Sequence, residues 1–201
     1  MTISTQSYFA ALRDYLNVRH YAVTDVEAGV VVMKEKIFLS GSSRPTQQRV
    51  RLRVSGEAIA INLDKKNARG NSDPLFHFLE DESKPWARRC DFVVFHLFRN
   101  RISALCFEFK SGSFPEGLVD QMASGVAWCQ SLHSVIKHYT GKTKRLHVSK
   151  FVLSCHDDPA RFLGQDGKYL KRDHTIRHYL YSQIDGMAID LLDNSHVETI
   201  G

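Results

Sequence analysis

No apolar run in this 201-residue chain approaches the ~20 residues that a bilayer-spanning helix needs, so neither a membrane span nor a membrane partner is expected. The four cysteines, Cys90, Cys106, Cys129 and Cys155, are scattered and form no C-x-x-C pair, which argues against a structural zinc site. A disulfide framework does not suit a chain long enough to bury a core without staples. There is no Gly-rich phosphate loop, no G-x-S-x-G elbow, no dinucleotide fingerprint and no H-E-x-x-H pair. An ATP-driven motor is therefore not expected in this chain, though a partner could provide one. The opening MTISTQSYFAALRDYL lacks a basic n-region, an apolar h-region and a small-residue cleavage site, so a cytoplasmic protein is expected. Internal repeats and low-complexity tracts are absent as well.

What is present reads as one α/β domain over residues 1–201. The apolar fraction of 43% suffices for a single core, and the net charge of +5 permits a polyanionic partner without requiring one. Tyr8, Phe9, Leu12, Tyr15 and Leu16 recur at helical spacing, and GVVVMKEKIFLS and RVRLRVSGEAIAINL follow as strands, so residues 5–65 form an N-terminal helix-and-strand unit. In RVRLRV the residues Arg49, Arg51 and Arg53 alternate with Val50, Leu52 and Val54, giving one basic face and one apolar face. SDPLFHFLEDES predicts a short helix with Asp73 as cap and Pro74 at its first position. A long helix is expected over 114–141, striped by Leu118, Met122, Val126, Cys129, Leu132, Ile136 and Tyr139 and stopped by Gly141. LHVSKFVLSC reads as a buried strand, KYLKRDHTIRHYLYSQI as a helix and GMAIDLLD as a last strand, so 165–195 is a helix-and-strand unit; the final residues are expected to fray. Helices should cover a mixed central sheet.

The stretch CDFVVFHLFRNRISALCFEFKSG, residues 90–112, carries the chemistry. Two apolar runs meet across Arg99 and Asn100, so paired positions sum to about 199 and Asp91 falls opposite Glu108. Directly opposed side chains of an antiparallel pair have Cβ atoms ~4.5–5.5 Å apart. Alternation puts Ala104, Cys106, Glu108 and Lys110 on one face and Leu105, Phe107 and Phe109 on the other. Two carboxylates this close in an apolar setting either share a proton or hold a cation. A hard ion such as Mg²⁺ takes a few carboxylate oxygens, and the backbone carbonyl of Phe109 offers another. Lys110 is placed to assist attack by water or to stabilise charge on a phosphate. The sequence has four D/E-x-K triplets, at Asp64, Glu82, Glu108 and Asp166, but only Glu108-x-Lys110 ends an apolar strand with an acid opening the strand before it. A plain salt bridge would not need that second acid.

CDFVVF followed by ALCFEFKSG resembles the PD-(D/E)XK nuclease superfamily over roughly residues 88–155. The resemblance implies a restriction-endonuclease-like fold, a mixed central β-sheet flanked by helices. It implies Asp91 and Glu108 as ligands of Mg²⁺, with Mn²⁺ able to substitute, and Lys110 as the catalytic lysine. It also implies a role at the edge of the site for Gln121, in GLVDQMASGV on the next helix. Cys90 stands where the family often has Pro. An upstream acid is common in the family; Asp14, Glu80, Asp81 and Glu82 compete for it here, and Glu80 is preferred because it feeds the hairpin. The implied activity is a metal-dependent DNA endonuclease in phage defence, restriction or repair, cutting as a homodimer or with a partner protein.

The basic residues Arg49, Arg51, Arg53, Lys144, Arg145, Lys171 and Arg172 are candidates for gripping a phosphate backbone. His174 and His178 are four apart, but a polar helix surface is the better reading than a metal pair, and His96 is expected at the surface or an edge. The competing function is a catalytically silent nuclease-like module that binds nucleic acid or a partner protein within a larger complex. Such a module would have no reason to keep Asp91, Glu108 and Lys110 together.

Overall fold

The computed structural model describes residues 3–23, 26–27, 29–39, 42–65, 79–80, 84–111, 113–155 and 158–201. The helix expected over 72–83 lies outside them apart from Leu79 and Glu80, as do Asp81 and Glu82.

Three layers make up the molecule. The central one is a mixed sheet of six strands. The hairpin β5 (Phe92–Phe98) and β6 (Arg101–Lys110) lies at its middle, with β4 (Glu57–Asn62) beside β5 and β7 (Leu146–Ser154) parallel to β6. The far side of β7 is shared. Its end pairs in parallel with β8 (Ile176–Leu180), and its start pairs antiparallel with β10 (Glu198–Ile200). A second sheet runs β1 (Val26–Glu27), β2 (Val30–Ile37), β3 (Thr46–Arg53) and β9 (Met187–Ala188). The helical layer comprises α1 (Thr5–Tyr15), the short α2 (Val18–Tyr21) and α3 (Leu118–Thr140), while α4 (Tyr181–Ile184) is a single turn after β8.

Alternation along the central strands builds two cores. Val93, Phe95, Ala104, Cys106, Val148 and Val152 pack with Tyr8, Phe9 and Leu12 of α1 and Met122, Cys129 and Ile136 of α3. Phe92, Val94, Leu105, Phe107, Phe151 and Leu153 face Val31, Met33, Val50 and Leu52 of the second sheet. The expected helices therefore cover one face of the central sheet only. On the other, the apolar side of RVRLRV docks, leaving Arg49, Arg51 and Arg53 outward. The architecture is α/β with a mixed sheet. Among the described residues no helix is long and apolar enough to cross a membrane.

Three further expectations give way. The helix expected over 168–184 survives only as the turn 181–184: Tyr169 and Leu170 make isolated bridges and 176–180 is strand. Hydrogen bonding to the open edge of β7 outweighs the helix propensity of this charged segment. The C-terminus does not fray, because Glu198–Ile200 closes the other part of that edge. GMAIDLLD keeps only the two-residue β9 before a 3₁₀ turn. In α3 the buried stripe also drifts: Tyr139 is 71% exposed and His133 is buried instead, its ring taking the Tyr8 hydroxyl at 2.6 Å. The helix ends at Gly141, whose φ of 67° is a left-handed cap.

Candidate active site

The hairpin turn fixes the register. Arg99 and Asn100 both have positive φ, as a tight two-residue hairpin turn requires, and Phe92 pairs with Phe107. Their numbers sum to 199, so Asp91, one residue before the strand, meets Glu108. The Asp91 amide donates to Glu108 Oε2 at 3.2 Å, and the Phe109 amide donates to Asp91 Oδ2 at 2.6 Å. Lys110 Nζ donates to Glu108 Oε1 in a close ion pair. Asp91 is 8% exposed and Glu108 only 1%. The two acids and the lysine therefore converge at the end of the central hairpin, where the sequence put them.

Their electrostatics are strained. Burial is the main cause that drives Asp91 well above the ordinary carboxylate range, with further push from Glu108 and Glu35; the Phe109 amide and Lys110 oppose it. Burial likewise pushes Glu108 up to about 7, against the pull of Lys110 and the Asp91 amide, and Asp64 adds to the rise. One lysine does not neutralise this group of acids, so at neutral pH the site favours a bound proton or an added cation.

The donor set fits a hard divalent ion: two adjacent carboxylates, with oxygen and not sulfur as the available ligand atom. Asn62, paired with Phe92 beside Asp91, also has a buried Oδ1 without a hydrogen-bond partner among the described residues. A group of three or more His, Cys, Asp or Glu side chains arranged to hold a metal is not present among the described residues.

Other assigned residues fall at varied distances from this point. Gln121 is half-buried on the first turns of α3, and its amide reaches the Arg89 carbonyl at 3.5 Å, two residues before Asp91. Glu80 is exposed, and its carbonyl accepts the Trp86 indole. Asp14 is exposed on α1. The acids felt by the pair are instead Glu35 on β2 and Asp64 just past β4. Sequence reasoning passed over both. Asp64 comes close because β4 pairs with β5 in a register that sets Leu63 against Asp91, with the Leu63 amide on the Asp91 carbonyl at 2.9 Å, a register that counting cannot reach across the long segment between the two strands. Glu35 carries no signal either, since its neighbourhood depends on how the second sheet docks.

Of the basic candidates, Arg49 lines a cavity of about 570 Å³ with Ser154 and Tyr181. Ser154 pairs with Lys110, and the Tyr181 hydroxyl donates to the Lys110 carbonyl at 3.0 Å. Arg51 is held by Asp185, and Arg53 donates to the Gly186 carbonyl at 2.9 Å. Lys144 and Arg145 precede β7 at the opposite end of the sheet, roughly 20 Å from Glu108 by strand rise. Lys171 and Arg172 are exposed beside the N-terminus of α3. His178 is buried on β8, sharing a 2.9 Å bond with Ser154, while His174 packs against His196; the two do not form one polar helix face. His96 is buried too, bonded to the Ser55 carbonyl at 2.7 Å.

None of the four cysteines is in a disulfide. Cys106 lies within hydrogen-bonding reach of Cys90 and Cys129. Gly125 of α3 is required here: a Cβ at that position would stand 2.6 Å from Cys90 Sγ. This close approach seats α3 directly behind the hairpin and so sets the position of Gln121.

No protein-family model, curated protein or solved structure matches this chain.

Proposed function

We propose that this protein is a metal-dependent nuclease of the PD-(D/E)XK type, on a restriction-endonuclease-like fold, hydrolysing phosphodiester bonds in DNA. The observation that carries the reading is the convergence of Asp91, Glu108 and Lys110 at one buried strand end, with more negative charge than Lys110 offsets. A structural ion pair needs one acid; a second is a burden on folding unless a cation joins it. A divalent ion held by Asp91, Glu108 and the Phe109 carbonyl would supply Lewis acidity and a nucleophile at neutral pH. The Phe109 amide fixes the orientation of Asp91 through Oδ2. Lys110, when released from Glu108, carries three donors to a phosphate on which negative charge develops. Arg49, at the edge of the same strand end, and Lys171 and Arg172 are the residues best placed to hold the backbone. Glu35 and Asp64 replace Glu80 as candidates for the further acid. Four cysteines outside any disulfide suit a cytoplasmic setting.

The test is incubation of the chain with plasmid DNA and Mg²⁺ or Mn²⁺, beside Asp91→Ala and Lys110→Ala. Metal-dependent cutting that falls at least ~100-fold in both variants is expected. Cutting that survives Asp91→Ala, or intact DNA and RNA under both metals, would overturn it. One observation favours the second reading, a silent module that binds nucleic acid. Both oxygens of Glu108 already accept hydrogen bonds, from the Asp91 amide and from Lys110. That module predicts salt-sensitive binding unchanged by EDTA and by Glu108→Gln.

A further inference from the structure

A cavity of about 450 Å³ opens between the N-terminal end of α3 and the segment 161–172. Its floor is apolar, formed by Phe114, Leu118, Phe162 and Leu170, and its rim carries Arg161, Lys171 and Arg172 with no acid among the lining residues. Phe114 and Phe162 lie with ring centroids 4.8 Å apart, and the Arg161 guanidinium covers the Phe162 ring at 4.5 Å. The Arg172 guanidinium donates to the Phe114 carbonyl at 3.3 Å, which ties the rim to the floor.

The cavity is close to the candidate active site. Phe114 follows Lys110 by four residues, a span of at most ~14 Å. A lateral path of contacts leads to the same place: Lys110 pairs with Ser154, Ser154 bonds His178, and the His178 ring meets Phe114 at 5.6 Å. Two strand spacings and that ring contact together span ~15 Å. A strand whose phosphate lies at Lys110 therefore reaches the cavity within a few nucleotides.

Resting on the nuclease reading, we propose that this cavity is a nucleobase pocket, so that the substrate is a strand with an unpaired nucleotide beside the cut: single-stranded, frayed or flapped nucleic acid. Aromatic rings and an arginine plane make a stacking platform for any base, and three cations beside it suit the attached phosphates. A paired base cannot enter such a pocket, because its faces are already stacked within the duplex. Anionic charge complementarity and an aromatic floor together distinguish this site from the basic stripe on β3, which offers cations without rings.

The experiment uses the full chain in EDTA, where metal-dependent cutting cannot proceed, and reads anisotropy of a short labelled single strand and of its paired duplex. Single-strand binding about tenfold tighter than duplex binding is expected, with quenching of a 2-aminopurine placed in the strand. Phe162→Ala should remove that preference while leaving duplex binding within about twofold. Lys171→Glu, at an exposed position where folding is not at risk, should weaken binding of both forms, and of the single strand more. A mononucleotide should compete better than inorganic phosphate. Equal affinity for both forms, a preference untouched by both variants, competition by phosphate alone, or displacement by decanoate but not by a mononucleotide would each overturn the pocket. Cutting of plasmid without any strand preference would leave the nuclease reading intact and remove this one; strand preference without cutting under any metal would do the reverse.

Discussion

On β7, Lys150 is 9% exposed, and its ammonium reaches Asp173 at 3.1 Å and Glu198 at 3.8 Å. One strand away on β6, Lys110 reaches Glu108 while Asp91 lies alongside it. Both clusters put a lysine and two carboxylates at the central sheet, yet their balance differs. Burial pushes Asp173 up, but the Thr175 hydroxyl and amide and the Lys150 ammonium outweigh it, and its carboxyl ends below the ordinary range. Glu198 is half open to water, so it adds little repulsion. At the hairpin both acids are buried, and both are raised. The first cluster is satisfied by the fold; the second favours a bound proton or an added cation. Composition alone does not separate the two clusters, whereas the direction in which their acids are displaced does.

The sharpest break of this comparison is removal of one member of each ion pair. Lys150→Ala leaves Asp173 partly buried without its ammonium and is expected to cost about 3 kcal/mol in urea unfolding, within the usual range for a broken buried pair. Glu108→Gln at pH 8 should behave oppositely, being neutral or stabilising, because it removes a carboxylate that burial disfavours. Equal losses from the two substitutions would mean that the hairpin cluster is structural after all.

Titration sharpens the contrast with an effect of similar size. Glu108 in the folded chain titrates near 7 against an ordinary value of 4.5. Between these the folded state keeps a proton that the unfolded state has lost, so stability falls as pH rises through that window. The displacement corresponds to roughly 3 kcal/mol, and Asp91 acts in the same direction. His133 and His147 are both lowered, chiefly by burial, and act the other way, losing stability as pH falls through the histidine range. The quantity to measure is therefore the difference between wild type and Glu108→Gln, by thermal unfolding from pH 5 to pH 8 in EDTA. Wild type should lose ground steadily relative to the variant as pH rises, and Mg²⁺ should recover part of the loss at pH 8. Parallel curves would remove the strained-carboxylate account.

Much of this was legible in the chain because the information is local. The Arg99-Asn100 turn is short, so register followed from counting, and Asp91 met Glu108 without knowledge of any other strand. The long apolar period of 118–140 announced its helix in the same way. What stayed hidden depends on distant partners. Residues 176–180 become a strand only because β7 offers an open edge, and Lys150 finds Asp173 only once that strand is in place. Glu35 reaches the acids through the docking of a whole second sheet, and the drift of the α3 stripe from Tyr139 to His133 answers to Tyr8 on a helix more than a hundred residues earlier.

An exposed pair supplies the scale for both clusters, and the smallest expected effect. Arg51 Nη2 meets Asp185 Oδ2 at 2.5 Å, Nε meets Oδ1 at 3.1 Å, and the Arg51 amide donates to Oδ1 at 2.8 Å. The geometry is as good as anything in the molecule, but Arg51 is about half exposed. Water screens such a pair, so Arg51→Ala is expected to cost no more than ~1 kcal/mol. The backbone bond to Asp185 survives that substitution, whereas Asp185→Ala removes it with the rest and should cost more. If Arg51→Ala proved as damaging as Lys150→Ala in the same urea titration, burial would not be what gives these clusters their different values. The excess charge at Asp91 and Glu108 would then carry no functional meaning.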